Sequence, residues 1–150
     1  MNMMQAVKSV YSNYAKFSGR SRRSEFWWFY LFYLIAYFVL GMIDALLFGT
    51  TTTAPGSFSA STETPILSGL FALATLIPNL AVGVRRLHDI DRSGWWLLIS
   101  FIPLVGFIIL IVWFAKAGDK GPNRFGGDPI SGAGAPTPQE TYSETSIPKV

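Results

Sequence analysis

The side chains best suited to chemistry are gathered in one short polar stretch, residues 85–92 (RRLHDIDR). There, His88 lies beside Asp89 and near Asp91, so its imidazole could act as a general base or as one ligand of a metal ion. A metal site needs three or four converging ligands, yet His88 is the only histidine and the chain has no cysteine. We therefore interpret His88 as a structural or solvated histidine, with a chemical role as the alternative. The sequence predicts no catalytic set, no metal site and no cofactor.

Two further motifs could bind phosphate groups. The stretch GRSRR, residues 19–23, carries three arginines, and each could add about 1 kcal/mol of attraction to an anionic membrane surface. Its alternative role is a topology signal without a partner. The glycine-containing stretch 118–126 lacks the G-K-[ST] ending of a P-loop and follows no predicted strand, so we interpret it as a turn in the tail.

The composition indicates a membrane protein. Of all residues, 50% are hydrophobic and 14% are charged, whereas soluble domains are about one quarter charged. The formal net charge of +3 could indicate nucleic-acid binding, but the basic residues lie at the edges of apolar blocks and form no patch with aromatic residues between them. We therefore predict that nucleic acid is not a partner.

Three apolar blocks are long enough to cross a bilayer, namely residues 26–48, 66–84 and 95–115. Aromatic residues cluster at the start of the first block and at both ends of the third, as they do at membrane interfaces. Asp44 lies near the far end of the first block and should reach the outer interface. Pro78 should bend the second helix and free a backbone carbonyl. The sequence therefore predicts an all-α membrane protein, a small bundle of three transmembrane helices.

The distribution of lysine and arginine sets the expected orientation. These residues precede position 26 and recur in 85–94, whereas the loop 49–65 has none, so the N-terminus and the loop 85–94 should be cytoplasmic. A third crossing would put the tail outside, although that tail begins with basic residues. A break at residues 103–106 (PLVG) could instead make the third block a re-entrant hairpin whose tail returns to the cytoplasm. We favour the plain crossing, because irregular backbone at membrane depth needs protein cover.

The remaining segments are amphipathic or irregular. Apolar residues recur every three or four positions in residues 2–17, which predicts an amphipathic helix. This helix either lies along the inner membrane surface or packs on the cytoplasmic end of the bundle. The loop 49–65 and the tail 130–150 are rich in Thr, Ser, Pro and Gly and are predicted to be flexible. The chain thus divides into a membrane domain, residues 1–129, and this tail.

The two basic motifs should meet at the cytoplasmic face, because they precede the first and third blocks. Glu25 then needs a cation from the second motif if the bundle partly buries it, and Asp89 or Asp91 could receive an arginine of the first motif. Such pairs would fix the register of the helices, whereas the alternative is that all these groups face water. The candidate site for ion pairs or lipid headgroups comprises Arg20, Arg22, Arg23, Glu25, Arg85, Arg86, His88, Asp89 and Arg92.

Four stretches in their order resemble a known family, the bacterial membrane proteins called domain of unknown function 805. The stretches are FSGRSRRSEFW (17–27), RRLHDIDRSGWW (85–96), PLVG (103–106) and GDKGPNRFG (118–126). The likeness runs from about residue 14 to residue 129 and implies a small bacterial inner-membrane protein of several spans, with no known activity. Asp91 stands where the family often has glycine, and the loop 49–65 is long for the family.

Without a converging catalytic set, we predict a non-catalytic scaffold or regulator of the bacterial inner membrane that acts through helix packing and a basic cytoplasmic face. An oligomeric transporter or channel is one alternative, since three helices alone enclose no pore. An enzyme acting on lipid headgroups through His88 and the neighbouring carboxylates is another. The expected partners are the lipid bilayer, with its anionic lipids, and a membrane protein or a second copy of the chain.

Overall fold

The computed structural model of the chain describes residues 1–62 and 64–132. Within them the protein is a helical membrane protein, as the sequence predicted, with a small β-hairpin in addition. Most of the predicted flexible tail, residues 133–150, lies outside the described residues. The elements are α1 (Met3–Ser12), α2 (Arg23–Phe48), β1 (Gly49–Ala54), β2 (Ser57–Thr62), α3 (Ile66–His88), the 3-10 helix Gly94–Phe101 and α4 (Val105–Ala115).

Helices α2 and α3 are, within the described residues, the two elements long and apolar enough to cross a membrane. Their 26 and 23 residues correspond to about 39 and 35 Å, more than the ~30 Å hydrocarbon core of a bilayer. They run antiparallel, with the start of α2 beside the end of α3. We call that end of the bundle the basic end and the opposite end the hairpin end. The basic end carries Arg20, Arg22, Arg23, Arg85 and Arg86.

At the hairpin end, Asp44 joins the two long helices. Its fully buried carboxylate accepts hydrogen bonds from the backbone N–H groups of Leu67 (2.9 Å) and Ser68 (2.8 Å), and from the Ser68 hydroxyl (2.7 Å). Both N–H groups belong to the first turn of α3, which has no capping side chain of its own. Asp44 therefore caps α3 from the neighbouring helix, a role that the sequence did not indicate.

Residues 49–65 contain a two-stranded antiparallel sheet where the sequence predicted a flexible loop. The six residues of β1 pair one to one with those of β2. β-Branched threonine favours extended backbone, and the Pro-Gly pair between the strands, residues 55–56, favours a tight turn. The sequence did not indicate the hairpin because β1 has no alternation of apolar and polar residues and β2 has only the pair Phe58 and Ala60.

Helix α1 packs against both long helices. Its residues Ala6 and Val10 are fully buried, and Val10 forms a core cluster that includes Phe29 and Val82. The sequence left two positions open for this helix, along the membrane surface or packed on the bundle, and in the structure it packs on the bundle. The predicted range, 2–17, is too long at its C-terminal end, because an asparagine caps the helix earlier.

Pro78 lies inside α3 and lacks the N–H that would bond to the carbonyl of Ala74. The hydroxyl of Tyr14 donates a hydrogen bond to this carbonyl, and the hydroxyl of Tyr11 lies 3.3 Å from that of Thr75. The sequence predicted a freed carbonyl at this proline. Its partner comes from the segment after α1, so the N-terminal part of the chain is joined to α3 by hydrogen bonds as well as by apolar contacts.

The third apolar block folds back on itself and does not form one continuous helix. The 3-10 helix and α4 contain 8 and 11 residues, and each is about 16 Å long. Trp96 near the start of the block contacts Trp113 near its end, with ring centroids 5.5 Å apart. Arg86 at the basic end also contacts the end of α4, so both ends of the block lie there. This corrects the single third crossing that the sequence favoured and agrees with its re-entrant alternative.

The break between the two arms follows from local backbone chemistry. Leu104 has a φ of 65° and a ψ of −64°, the conformation of a γ-turn, which a helix cannot contain, and Pro103 has no N–H to continue the preceding turn. Gly106 permits a close approach, since a Cβ there would lie 1.7 Å from the carbonyl oxygen of Ile99. The two N–H groups after Leu104 bond to carbonyls within the turn. The break therefore needs less protein cover than we assumed.

Candidate functional site

Five charged side chains are buried together at the basic end. They belong to Arg20, Glu25, Arg85, Arg86 and Asp89, and each residue is at most 9% exposed. The first two come from the start of α2 and the segment before it, and the others come from the end of α3. We call these five residues the arginine cluster. Because ionised groups are costly to bury unless they are paired, their partners decide what the cluster can do.

Asp89 binds two arginines at once. Its Oδ2 accepts a hydrogen bond from Nη1 of Arg86 at 2.7 Å, and its Oδ1 accepts one from Nε of Arg20 at 3.0 Å. Burial raises the pKa of the Asp89 carboxyl, and the two guanidinium groups oppose that rise. The double contact locks the segment before α2 to the end of α3.

Glu25 makes a second bridge. Its Oε1 accepts hydrogen bonds from Nη1 of Arg85 at 3.2 Å and from the hydroxyl of Ser9 at 2.8 Å, and its Oε2 accepts one from the hydroxyl of Ser21 at 2.6 Å. The donors come from α3, α1 and the segment before α2, so one carboxylate joins three parts of the chain. The sequence predicted both that Glu25 would pair with an arginine of the second motif and that Asp89 could pair with one of the first, and both pairs are present.

Arg85 is only partly satisfied by these contacts. Its Nε and Nη2 atoms are buried and have no hydrogen-bond partner among the described residues. The arginine cluster also contains three arginines and two carboxylates, so one buried positive charge lacks a buried counter-charge. A buried donor without an acceptor costs about 1–3 kcal/mol. Arg85 is therefore the member of the cluster that most needs a further acceptor.

The turn after α4, residues 116–131, is held against the arginine cluster through its backbone carbonyls. Arg20 donates hydrogen bonds to the carbonyl oxygens of Asp119 at 2.5 Å and Gly121 at 2.6 Å. Arg86 donates one to the carbonyl oxygen of Lys116. The sequence predicted a turn here, but it did not indicate that the turn completes the arginine cluster.

Gly118 allows this turn to pass close to Asp89. A Cβ at position 118 would lie 2.0 Å from Oδ2 of Asp89, so a larger residue would have to displace the carboxylate. The N–H of the next residue, Asp119, donates a hydrogen bond to the Asp89 carbonyl at 2.7 Å. Both the side chain and the backbone of Asp89 therefore contact the turn.

Asp128 fastens the far side of the same turn. Its carboxylate accepts hydrogen bonds from the backbone N–H groups of Ile130 at 2.8 Å and Gly121 at 3.3 Å, and from the hydroxyl of Ser131 at 2.8 Å. These donors, the N–H of Ile130 above all, lower the pKa of Asp128 to about 2. The carboxylate is therefore ionised at neutral pH and holds the turn in a closed shape.

His88 is fixed through its ring and its backbone. Its Nδ1 lies 3.0 Å from the carbonyl oxygen of Gly19, which can only accept, so this nitrogen carries the hydrogen. The ring stacks on Phe125, with centroids 3.9 Å apart and planes 3° apart. The His88 carbonyl accepts a hydrogen bond from the amide of Asn123 at 2.8 Å. These contacts join the GRSRR stretch to the turn after α4.

The other candidate residues lie outside the arginine cluster. Arg92 places its guanidinium carbon 4.2 Å from the ring centroid of Trp113 and 5.9 Å from that of Trp96, so its cation–π contacts reach both arms of the third block. Arg22 is half-buried and Arg23 is exposed at the basic end, and neither pairs with a carboxylate of the cluster. Among residues 1–62 and 64–132, no three or more His, Cys, Asp or Glu side chains come together as a metal site would require.

Asp91 is the position at which the resemblance led us to expect glycine. Its φ is 55°, in the left-handed region that favours glycine and that aspartate tolerates better than most residues. Its carboxylate accepts a hydrogen bond from Arg124 at 3.0 Å, and the two side chains are 50% and 61% exposed. Asp91 therefore keeps a turn that glycine would also allow and adds an ion pair at the surface.

The chain is similar to bacterial inner membrane proteins. The family described as protein of unknown function (DUF805) matches residues 14–127. The inner membrane protein YhaI of Escherichia coli K12 is 51% identical over 71 residues, which are 47% of this chain and 60% of that protein. The inner membrane protein YhaH of the same strain is 42% identical over 96 residues, which are 64% of this chain and 72% of that protein. The chain thus spans about 60% of the length of YhaI, and no solved structure shows significant similarity to it.

Proposed function

Because the chain belongs to the DUF805 family, whose description states no activity, we propose a function from the arginine cluster itself. The protein is a non-catalytic scaffold or regulator of the bacterial inner membrane, and the cluster holds its helices in register. One observation carries this proposal: all four carboxylate oxygens of Glu25 and Asp89 accept hydrogen bonds from donors within the chain. A general base needs a lone pair directed at its substrate, whereas these carboxylates serve the fold.

The proposal predicts that His88 can be replaced without loss of function. Glutamine at position 88 keeps a donor for the carbonyl of Gly19 but cannot act as a general base or acid near neutral pH. In a strain that lacks the gene, the His88→Gln variant should restore the wild-type phenotype when its membrane level equals that of the wild type. A loss of complementation at an equal level would contradict a non-catalytic function.

The scaffold function is tested by what the protein binds in the membrane. After cross-linking in native membranes and extraction in mild detergent, the particle should contain more protein than one 16.6 kDa chain, because a scaffold acts by holding a partner or a second copy. A particle with a single chain and no other protein would contradict the scaffold, whatever the result with His88→Gln.

We place the basic end of the bundle in the cytoplasm. The lysines and arginines of the N-terminal segment and of α3 lie at this end, and the loop 49–65 has none. The fold of the third block also brings Lys116, Lys120 and Arg124 to the basic end, which removes the conflict between the tail and the positive-inside rule. This distribution of charge supports two crossings, with both termini of the membrane domain on the cytoplasmic side.

This orientation predicts a labelling pattern. The chain has no cysteine, so Lys8→Cys, Ser57→Cys and Lys116→Cys each introduce a single reactive thiol. In intact spheroplasts, a membrane-impermeant maleimide should label Ser57→Cys and should label the other two only after permeabilisation. Labelling of Lys116→Cys from outside would contradict the re-entrant third block, and failure to label Ser57→Cys from outside would overturn the orientation.

A further inference from the structure

A cavity of about 400 Å³ opens at the basic end, beside the arginine cluster. The start of α2 forms one side of it, and the turn after α4 forms the other. It is a separate feature from the buried ion pairs, although Asp89 contributes to its wall. Its lining includes Arg22, Arg23, Ser24, Gly118 and Lys120.

The fold makes little use of the basic side chains in this cavity. The side chains of Arg22 and Lys120 form no hydrogen bond or ion pair with any residue in the described part of the chain, and the side chain of Arg23 makes a 3.4 Å contact with the carbonyl of Ala115. Arg22 is also the N-cap residue of α2, and its side chain makes no capping hydrogen bond. The N–H groups of Glu25 and Phe26 bond to the Arg22 carbonyl, so cationic groups and the N–H groups of Arg23 and Ser24 are available at the same place.

The charge behind the cavity is positive as well. The arginine cluster has one arginine more than it has carboxylates, and two nitrogens of Arg85 lack an acceptor. Asp89 lines the cavity, but Arg20 and Arg86 already bind its two oxygens. Arg23 lies close enough to Arg86 for their like charges to repel. Asp128 lies near enough to act on Asp89, but it accepts hydrogen bonds within the turn, so the side chains around the cavity keep a surplus of positive charge.

We propose that the cavity binds a phosphate group, carried either by the headgroup of an anionic membrane lipid or by a soluble phosphate. Guanidinium and ammonium groups bind phosphate through charge-assisted hydrogen bonds, and the N-terminus of α2 adds N–H donors and positive potential. Trp27 and Trp28 follow one turn later in α2, and such residues mark the membrane interface. The cavity therefore lies at the depth of lipid headgroups. This site goes beyond the scaffold function and does not depend on it.

The residues of this site differ from those that the sequence predicted. The sequence grouped Arg20 with Arg22 and Arg23 as contacts for lipid headgroups, but Arg20 is buried and bonded to Asp89 and to backbone carbonyls. Lys120, which is about a hundred residues further along the chain, takes its place beside the other two.

The proposal predicts a loss of phosphate binding when the unpaired cations are removed. Full-length protein in a nonionic detergent is titrated with phosphatidylglycerol, with phosphatidylcholine and with inorganic phosphate, and the dissociation constants are measured by calorimetry. The Arg22→Gln/Lys120→Gln variant should bind phosphatidylglycerol about 10- to 30-fold more weakly than the wild type, because each base near an anionic group adds about 1 kcal/mol. The matched control, Lys8→Gln/Lys16→Gln, removes the same charge elsewhere and should change the constant less than about 2-fold.

The titration with inorganic phosphate distinguishes a lipid headgroup from a soluble phosphate as the ligand. If inorganic phosphate competes with phosphatidylglycerol and the double variant loses both, the site takes soluble phosphate as well as a headgroup. If phosphatidylglycerol alone binds and the double variant loses it, the site is specific for lipid. Equal binding of both probes to the double variant and to its control, at an unchanged thermal unfolding temperature, would overturn the proposal. Lys120→Gln alone serves as a second variant, because Lys120 is exposed and its replacement should not affect folding.

Discussion

Replacing Asp89 with asparagine should destabilise the folded protein severely, whereas the same replacement at Asp91 should leave its stability nearly unchanged. Both aspartates accept hydrogen bonds from arginine at 3.0 Å or less, so a count of ion pairs would not separate them. Asp89 and its two arginines are buried, and removing the charge leaves Arg20 and Arg86 without a counter-ion in a region of low polarity. The expected loss is about 3–5 kcal/mol in the free energy of unfolding.

The Asp91 variant is the matched control for this prediction. Asp91 and Arg124 are at least half exposed, and exposed pairs contribute about 0–1 kcal/mol. Asparagine also tolerates the positive φ at this position. Thermal unfolding in detergent and the amount of protein in the membrane measure both variants. Equal effects at positions 89 and 91 would show that burial does not increase the contribution of the ion pairs in the arginine cluster to the free energy of unfolding.

The long helices and the ion pairs could be predicted because their signals are local and strong. Residues 26–48 and 66–84 contain a single charged residue, Asp44, so their length and composition identify α2 and α3. The pairing of Glu25 and Asp89 with arginines of the opposite motif followed from topology, since both motifs had to reach one end of the bundle. The choice among several arginines was left open, because it depends on helix rotation, which the sequence does not specify.

The third block was assigned to the wrong one of two alternatives because its composition suits both. One helix across the bilayer and two short arms within one leaflet require the same apolar residues and the same aromatic residues at each end. The break at Pro103 was visible in the sequence. Whether such a break can lie within the membrane depends on how the turn satisfies its own N–H groups, and that is a property of the folded backbone.

The contacts of the turn after α4 could not be predicted from side-chain chemistry. Arg20 and Arg86 bind backbone carbonyls there, and every residue has a carbonyl. Gly118 is the local signal that could have been used, since a position with no room for a Cβ indicates close approach to another group. The group that it approaches, the carboxylate of Asp89, is known only from the fold.

The second large effect concerns the bridge between Glu25 and Arg85. The double variant Glu25→Gln/Arg85→Met should be more stable than the single variant Glu25→Gln. Glu25→Gln removes the counter-ion of Arg85, a buried arginine that already has two nitrogens without acceptors, and should lower the free energy of unfolding by about 3–5 kcal/mol. Arg85→Met should cost less, because the hydroxyls of Ser9 and Ser21 still donate to the Glu25 carboxylate.

Combining the two changes should raise the free energy of unfolding by about 1–3 kcal/mol relative to Glu25→Gln alone. Replacing both partners of a buried ion pair with uncharged residues costs less than removing one partner and leaving the other charge unpaired. The exposed pair provides the control, since Asp91→Asn and Arg124→Met should each have a small effect and should add. Thermal unfolding of all six variants in the same detergent measures both cycles.

If the Glu25 and Arg85 effects also add, the bridge does not couple α2 to α3, and the arginine cluster does not fix the register of the helices. A recovery would show that Arg85 destabilises the fold once its counter-ion is removed. The phosphate site that we propose lies at the same end of the bundle and would gain from the surplus positive charge that Arg85 adds beside it.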